Sequence, residues 1–306
     1  MTITYAHSGS SKGFAATRRT CIALLFVLAT VAARAQGGPP SGGGGDMGGG
    51  MGGGMMLPGM GPEEETAAAS TGAVTEFTAK DFMALVRRTD IRSSFYDSDM
   101  TATINMVSVS PDRGTFTRKE IIYRRDKDDA FLMLTLEPES RKGQGMLRVD
   151  KNMWRYDSTS RKFTHTTLKE QYENSTAKNS DFRRTQRSWD YEVYSLESGK
   201  LGKYDVWVAE LKANNDEVPY PYIKMWVEKD RTIVLKVEEY SVSKKLLRTS
   251  YYTNYVQIGE SYVPTTQIFQ DGLIPEKRTQ VTYTNISTKP IPDDVFTKNY
   301  LERMSK

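Results

Sequence analysis

The stretch over residues 143–163, GQGMLRVDKNMWRYDSTSRKF, most strongly constrains how this chain can fold. Apolar and polar residues alternate in two runs, first at Leu147 and Val149 and then at Trp154 and Tyr156. A period of two residues is typical of a half-buried β-strand. Short clusters of turn-forming residues separate the runs. The stretch therefore predicts consecutive antiparallel strands that belong to a sheet with one apolar face.

The same alternation recurs from residue 97 almost to the end of the chain, with turn residues between the runs. Strands in series, separated by short turns, favour an open barrel or a strongly curved antiparallel sheet. Thr78, followed three residues later by Asp81, predicts the capping box of one helix. A short C-terminal helix is expected to start at Asp293. The polar residues 170–190 predict either a helix that starts near Phe182 and covers the sheet, or a surface loop.

The N-terminal quarter of the chain differs in composition from the rest. Residues 1–35 have a basic start, an apolar run and an A-x-A site at Ala33-Arg34-Ala35, which predicts a cleaved secretory signal peptide; an uncleaved anchor is the alternative. Residues 36–77 are rich in glycine and methionine, which predicts a disordered linker. Regularly spaced methionines also fit a Cu(I) site, because thioethers are soft ligands. Residues 78–306 are expected to form one folded domain.

The charge balance changes once the signal peptide is removed. Of the 42 basic residues, the four within residues 1–35 are Lys12, Arg18, Arg19 and Arg34, and none of the 38 acidic residues lies there. The remaining chain therefore has no net charge, which argues against nucleic-acid binding. The one cysteine of the full sequence, Cys21, lies within residues 1–35 and is removed with the signal peptide. Disulfides and thiolate metal sites are therefore not expected.

The sequence lacks the residues that most catalytic sites require. His165 is the one histidine after the signal peptide, and it lies in a threonine-rich run without a nucleophile motif. We interpret it as an exposed or hydrogen-bonded strand residue. No P-loop, G-x-G-x-x-G or G-x-S-x-G motif is present. We therefore expect no enzymatic activity, no catalytic residue, no metal site and no cofactor.

Several motifs in the folded part resemble the family of bacterial outer-membrane lipoprotein-sorting proteins, the LolA-like family. Residues 143–163 are similar to the family signature, and Ser180-Asp181-Phe182 resembles its G-S-D-F motif, with Asn179 in place of the glycine. Further similar segments follow at residues 235–237, 262–265, 291–297 and 300–302. The resemblance extends over about residues 78–306. The Gly/Met-rich linker has no counterpart in the family pattern.

The resemblance implies a mainly β fold, a half-open antiparallel β-barrel (a strongly curved sheet) covered by a few helices. It also implies a function: a periplasmic carrier that binds lipoprotein or lipid acyl chains and helps to sort lipoproteins to the outer membrane. Transient contact with membrane-bound transport or receptor proteins would accompany that role. The alternative is an envelope regulator of the same fold that senses lipid or lipoprotein without transporting it.

The aromatic and methionine content independently favours an apolar cavity, although an ordinary core would use the same residues. All four tryptophans lie in the predicted β region or its cover. Alternation shows which residues share a face of the sheet, but not which face is inside. The hypothesis is that the cavity-lining, ligand-binding residues include Met133, Leu147, Val149, Trp154, Tyr156, Trp207 and Trp226.

Overall fold

The computed structural model describes residues 77–305. The predicted signal peptide lies outside the described residues, and so does the predicted linker except for its last residue, Phe77. The proposed Cu(I) site of the linker is likewise outside this range.

Three helices and thirteen strands make up the regular structure of residues 77–305. The helices are α1 (Ala79–Arg92), α2 (Arg187–Asp190) and α3 (Lys298–Met304). The first six strands are β1 (Asp99–Ser110), β2 (Gly114–Arg125), β3 (Ala130–Glu137), β4 (Gly145–Val149), β5 (Asn152–Asp157) and β6 (Lys162–His165). The other seven are β7 (Tyr191–Leu201), β8 (Tyr204–Ala213), β9 (Tyr222–Glu228), β10 (Ile233–Tyr240), β11 (Leu246–Ile258), β12 (Ser261–Asp271) and β13 (Arg278–Ser287).

All thirteen strands belong to one curved, unclosed antiparallel sheet. Its order is β6-β5-β4-β3-β2-β1-β13-β12-β11-β10-β9-β8-β7. Two meanders, β1–β6 and β7–β13, therefore join at the middle, where Ile104 of β1 lies opposite Tyr283 of β13. The prediction of a mainly β fold built on a curved antiparallel sheet is confirmed.

This topology determines the path of the segment between β6 and β7. These two strands are the opposite edges of the sheet. The chain between them, residues 166–190, must therefore cross one face of the sheet, and we call it the cover segment. It contains a 3₁₀ turn at Asn179–Phe182 and the single-turn helix α2. Of the two alternatives predicted for residues 170–190, a helix starting near Phe182 is wrong, because the helical turn ends there and Arg183 is extended.

The face that the cover segment crosses carries most of the core, and we call it the inner face. Ile104, Met133, Phe269 and Met225 are among its fully buried side chains. Helix α1 packs on the same face through its apolar stripe, Phe82-Leu85-Val86. Burying side chains of this size stabilises a fold by about 1.5–3 kcal/mol each. The inner face is thus covered jointly by α1 and the cover segment.

The start of α1 follows the predicted capping box. The Thr78 amide donates to the Asp81 carboxylate at 2.9 Å, and the Asp81 amide donates to the Thr78 hydroxyl at 3.3 Å. This exchange satisfies two amides that the first helical turn would leave without partners. The predicted capping box is confirmed.

The opposite face of the sheet, the outer face, is covered near β3–β6 by the C-terminal helix. Leu301 of α3 is fully buried and packs on Leu132, Leu147 and Tyr156. This helix starts at Lys298 rather than at Asp293 as predicted. The reason is Thr297, which is extended and caps the helix by accepting from the Tyr300 amide at 3.1 Å, so the preceding Asp293–Phe296 turn is a separate 3₁₀ turn.

We expect Leu301→Ala to destabilise the fold by about 2–5 kcal/mol, because it leaves a cavity under α3. Met304 lies on the same helix and is 47% exposed, so Met304→Ala is the matched control and should change stability by less than about 0.5 kcal/mol. Urea unfolding of the three proteins measures both values. Equal effects of the two substitutions would show that α3 does not cover the outer face.

Asp99, at the start of β1, holds the segment that leads into α3. Its carboxylate accepts from Arg125 Nε at 2.9 Å and from the Ile291 amide at 2.6 Å. Burial of Asp99 acts to raise its pKa, but the hydrogen bonds from Arg125 and Ile291 outweigh burial and lower the pKa below its usual range. The ionised form is therefore favoured by folding.

A lowered pKa in the folded state means that Asp99 stabilises the fold above its unfolded pKa of about 4 and loses this effect as the pH falls. Asp99→Asn removes this titration. We expect the stability difference between wild type and Asp99→Asn to be largest near neutral pH and to shrink as the pH falls below about 4. Denaturant titrations across this range measure it. A difference that is constant with pH would contradict the assignment.

Candidate functional site

A cavity of about 130 Å³ opens on the inner face at one end of the sheet. It lies between the C-terminal end of α1, the cover segment and the first residues of β10 and β12. Its apolar lining comprises Phe95, Met100, Ile233, Val234, Val263 and Ile286. Its polar lining includes four tyrosines, Tyr252, Tyr255, Tyr262 and Tyr283, and four arginines, Arg92, Arg124, Arg183 and Arg187. Ser180 and the acidic residue Asp181 also line it, so the site combines apolar surface with several cationic groups and one carboxylate.

The four arginines differ in their partners. Arg124 forms an ion pair with Asp126 at 2.6 Å, and Arg183 forms one with Asp190 at 2.7 Å. Arg187 instead donates to the Tyr252 hydroxyl at 2.8 Å. Among the described residues, no carboxylate oxygen lies within 4.0 Å of Arg187 or Arg92. Arg92 donates to the Arg231 carbonyl at 3.0 Å, and the charge of the buried Asp90 acts on Arg187. The remaining N–H groups of these two arginines are available to a negatively charged group in or beside the cavity.

The cover segment is fixed to the sheet by a buried ionic cluster around Arg248 of β11, which we call the Arg248 clamp. Arg248 Nη1 and Nη2 donate to the two oxygens of Asp181 at 2.6 and 3.0 Å. Nε and Nη2 also donate to the two oxygens of Glu239, at 2.9 and 2.7 Å. Burial raises the pKa of Glu239, and the charge of Arg248 opposes this shift. One guanidinium thus binds two carboxylates, one on the cover and one on the sheet.

Further buried polar contacts hold the first part of the cover segment. The Tyr172 hydroxyl donates to the Glu120 carboxylate on β2 at 2.6 Å. The Thr176 amide donates to the Thr279 hydroxyl on β13 at 2.9 Å. Asn179, which replaces the usual glycine of the motif, donates through its side chain to the Thr167 carbonyl at 2.7 Å. Residues 166–182 are thus attached to the sheet on both sides of its middle.

The part of the cover segment beside the cavity is attached mainly to α1. The Ser188 amide donates to Asp90 at 2.8 Å, and the hydroxyls of Thr185 and Ser93 are 2.7 Å apart. Burial raises the pKa of Asp90, although the hydrogen bond from Ser188 opposes the shift. Residues 183–190 and the end of α1 therefore form one wall of the cavity.

Five of the seven predicted binding residues lie on β3–β5. Met133 is on the inner face, within the core and away from the cavity lining. Leu147, Val149, Trp154 and Tyr156 are on the outer face, in the cluster covered by α3. None of these five lines the cavity.

The other two predicted residues lie in the second meander. Trp207 is on the inner face and stacks on Phe77, with ring centroids 4.1 Å apart. Trp226 is on the outer face, where Lys236 Nζ lies 4.3 Å from its ring centroid. Neither lines the cavity. A ligand-binding role for the seven stays a prediction.

Sequence reasoning missed the cavity-lining arginines and tyrosines and the Arg248 clamp. The resemblance did single out Asp181, without its partner. One signal for Arg248 was present: it is the lone charge in the run LLRTSYY, where an arginine on a buried strand requires a carboxylate. The interpretation of His165 as an exposed, hydrogen-bonded strand residue is confirmed, because it accepts from Trp154 Nε1 at 3.3 Å.

No helix in residues 77–305 has the length and hydropathy required to span a membrane. Nor does this part of the chain bring together three or more His, Cys, Asp or Glu side chains that could hold a metal ion.

Known structures share this fold. A LolA superfamily protein from Nitrosomonas europaea is 24% identical, with a TM-score of 0.62 over 71% of this chain and 97% of that one. An outer membrane lipoprotein-sorting protein domain from Vibrio parahaemolyticus is 19% identical, with a TM-score of 0.66 over 74% of this chain and 100% of that one. A DUF1329 family protein from Desulfovibrio piger is 17% identical, with a TM-score of 0.66 over 73% of this chain and 98% of that one.

These similarities define the fold as LolA-like, as the sequence motifs implied. A protein-family model described as "Uncharacterized protein" matches residues 127–303, more than half of the chain. The chain belongs to that family. No curated protein matches it.

We expect Arg248→Met to destabilise the protein by about 3–5 kcal/mol, because it leaves the buried Glu239 and the largely buried Asp181 without the charge of Arg248. Arg278 on β13 is exposed, so Arg278→Met is the matched control and should have little effect. Guanidinium unfolding measures both variants. A loss below about 1 kcal/mol for Arg248→Met would mean that the cover segment is held by other contacts.

Proposed function

We propose that this protein is a non-enzymatic periplasmic carrier that binds the acyl chains of a lipid or lipoprotein between the inner face and its cover. The observation that carries the proposal is the cavity itself, with apolar walls and two arginines that make no ion pair within 4.0 Å among the described residues. The LolA-like fold supports it, and the predicted signal peptide supports the periplasmic location. The apolar lining suits acyl chains, and Arg92 and Arg187 suit an anionic group attached to them.

The cavity must enlarge to hold an acyl chain. Its volume of about 130 Å³ is close to that of an engineered cavity, about 150 Å³, that holds benzene. Pockets that enclose larger ligands start at about 300 Å³. We therefore propose that residues 183–190 and the end of α1 move away from the sheet on binding, while the Arg248 clamp keeps residues 166–182 in place.

The energies involved allow this movement. Burying six methylene groups contributes about 5 kcal/mol. The cavity side of the cover is tied by the Ser188–Asp90, Thr185–Ser93 and Arg187–Tyr252 hydrogen bonds. At a net value of about 0.5–1.5 kcal/mol for the hydroxyl pair and about 1.5–3 kcal/mol for each of the two bonds to a charged group, the three bonds total about 3.5–7.5 kcal/mol. Burying about ten methylene groups, worth about 8 kcal/mol, is therefore enough to open the cavity, and the small net gain keeps the binding reversible.

We expect Ile286→Trp, which fills the cavity, to weaken binding of a fluorescent triacylated lipopeptide by at least about tenfold, or 1.4 kcal/mol. Val242 is 80% exposed and outside the cavity, so Val242→Trp is the matched control and should bind like wild type. Fluorescence anisotropy measures the three affinities. Unchanged binding by Ile286→Trp would contradict the placement of the ligand.

A parallel variant tests the outer face. If the acyl chain occupies the cavity, Trp154→Ala should leave the lipopeptide affinity unchanged. If Leu147, Val149, Trp154 and Tyr156 form the binding surface instead, Trp154→Ala should weaken binding and Ile286→Trp should not. Transfer of bound lipopeptide to acceptor vesicles then separates a carrier from the alternative regulator, which would bind without releasing.

A further inference from the structure

The exposed side of α1 and the adjoining part of the cover segment form a surface with unusual chemistry. We call it the arginine–tryptophan surface, and it comprises Arg87, Arg88, Ile91, Arg92, Tyr96, Arg184 and Trp189. Its three apolar members are among the most exposed large apolar side chains of the described residues, at 64% for Trp189, 61% for Ile91 and 54% for Tyr96.

Contacts between its members connect the α1 side of this surface to the cover segment at two points. The Arg87 guanidinium lies 5.2 Å from the Trp189 ring centroid, which joins α1 to α2. The Arg184 guanidinium lies 5.9 Å from the Tyr96 ring centroid. Along α1, Arg87 and Ile91 are four residues apart, as are Arg88 and Arg92, so the four share one side of the helix.

The arginines of this surface lack the ion pairs that most other arginines of the domain make. Within residues 77–305, no carboxylate oxygen lies within 4.0 Å of Arg87, Arg88, Arg92 or Arg184. Arg184 Nε is buried and has no hydrogen-bond partner. Among the acids close in the chain, Asp90 is buried and accepts from the Ser188 amide, Asp181 and Asp190 are paired with Arg248 and Arg183, and Asp97 is exposed. The surface therefore carries a local excess of positive charge.

We propose that the arginine–tryptophan surface docks on an anionic phospholipid bilayer. Arginines attract anionic headgroups, and exposed tryptophan and tyrosine side chains are stable at the depth of the headgroups, where one end meets water and the other acyl chains. The apolar side chains are separated by arginines rather than gathered in a dry patch of the kind that protein partners bury. Charge complementarity thus favours a lipid surface as the occupant.

The arginine–tryptophan surface adjoins the cavity. Arg92 belongs to it and also lines the cavity. A bilayer docked there would lie against the wall formed by α1 and residues 183–190. The proposal that this surface binds a bilayer does not depend on the proposed function. Direct passage of an acyl chain between the bilayer and the cavity does rest on the proposed function.

Vesicle flotation tests the docking with the exported protein. We expect binding to vesicles of phosphatidylcholine mixed with phosphatidylglycerol, little binding to phosphatidylcholine alone, and weaker binding at raised salt. Arg87→Glu combined with Arg88→Glu should weaken binding to the anionic vesicles at least about tenfold. Trp189→Ala should weaken it as well, with the charge unchanged.

The matched control is Lys245→Glu combined with Arg278→Glu, which makes the same charge change. These exposed residues lie at the opposite end of β11 and β13 from the cavity. The control should bind anionic vesicles nearly like wild type apart from the change in net charge. The proposal would be overturned if the two double variants lost vesicle binding equally, or if wild type did not bind anionic vesicles. Either result would favour a protein as the partner of this surface.

A second readout separates this proposal from the proposed function. Arg87 and Arg88 do not line the cavity, so their double variant should bind the soluble lipopeptide like wild type. Failure of vesicle binding with intact lipopeptide binding overturns the docking alone. Vesicle binding without any lipopeptide binding by wild type overturns the proposed function alone.

Discussion

The Arg248 clamp is the interaction on which the rest of the structure depends. Because β6 and β7 are the opposite edges of the sheet, the cover segment between them runs across the inner face. Asp181 ties this crossing to Arg248, and Glu239 of the neighbouring strand shares the same guanidinium. Burying a lone arginine or a lone carboxylate would be strongly unfavourable. The cover is therefore held in one position because the three charges are stable only together.

This fixed point divides the cover into two parts with different properties. Residues 166–182 join the inner-face core through Tyr172, Ala177 and Phe182, which are all buried. Residues 183–190 lie beyond the clamp, and α1 holds them through the Ser188–Asp90 and Thr185–Ser93 hydrogen bonds. The cavity lies beneath this second part and reaches Ser180 and Asp181 at the end of the first part. A protein built in this way can open one side of its core without losing the attachment of the other.

The local elements could be predicted from the sequence because their signals are local. Alternation predicted the strands, and Thr78 with Asp81 predicted the start of α1. The faces of the sheet could not be assigned in this way, because both faces of β3 are buried and alternation is the same on either side. Leu147 and Trp154 were therefore expected in the cavity, whereas α3 covers them on the outer face.

Contacts between residues that are far apart in the chain could not be predicted from the sequence either. Asp181 and Arg248 are 67 residues apart, and only the sheet order brings them together. The same holds for the cavity, whose walls come from α1, the cover segment and several strands. The LolA-like motifs supplied the fold and pointed to Asp181, but they carry no information about Arg187 or Arg92. These two arginines became candidates only when the structure showed which partners they lack.

The most direct test of the proposed mechanism is photo-crosslinking with a lipopeptide that carries a diazirine in one acyl chain. Mass spectrometry of the digested complex locates the attachment. The account predicts crosslinks to cavity-lining residues such as Ile233, Val263 and Ile286, and to the wall at residues 183–190. Crosslinks confined to the outer face around Trp154 and α3, or none above background, would contradict it.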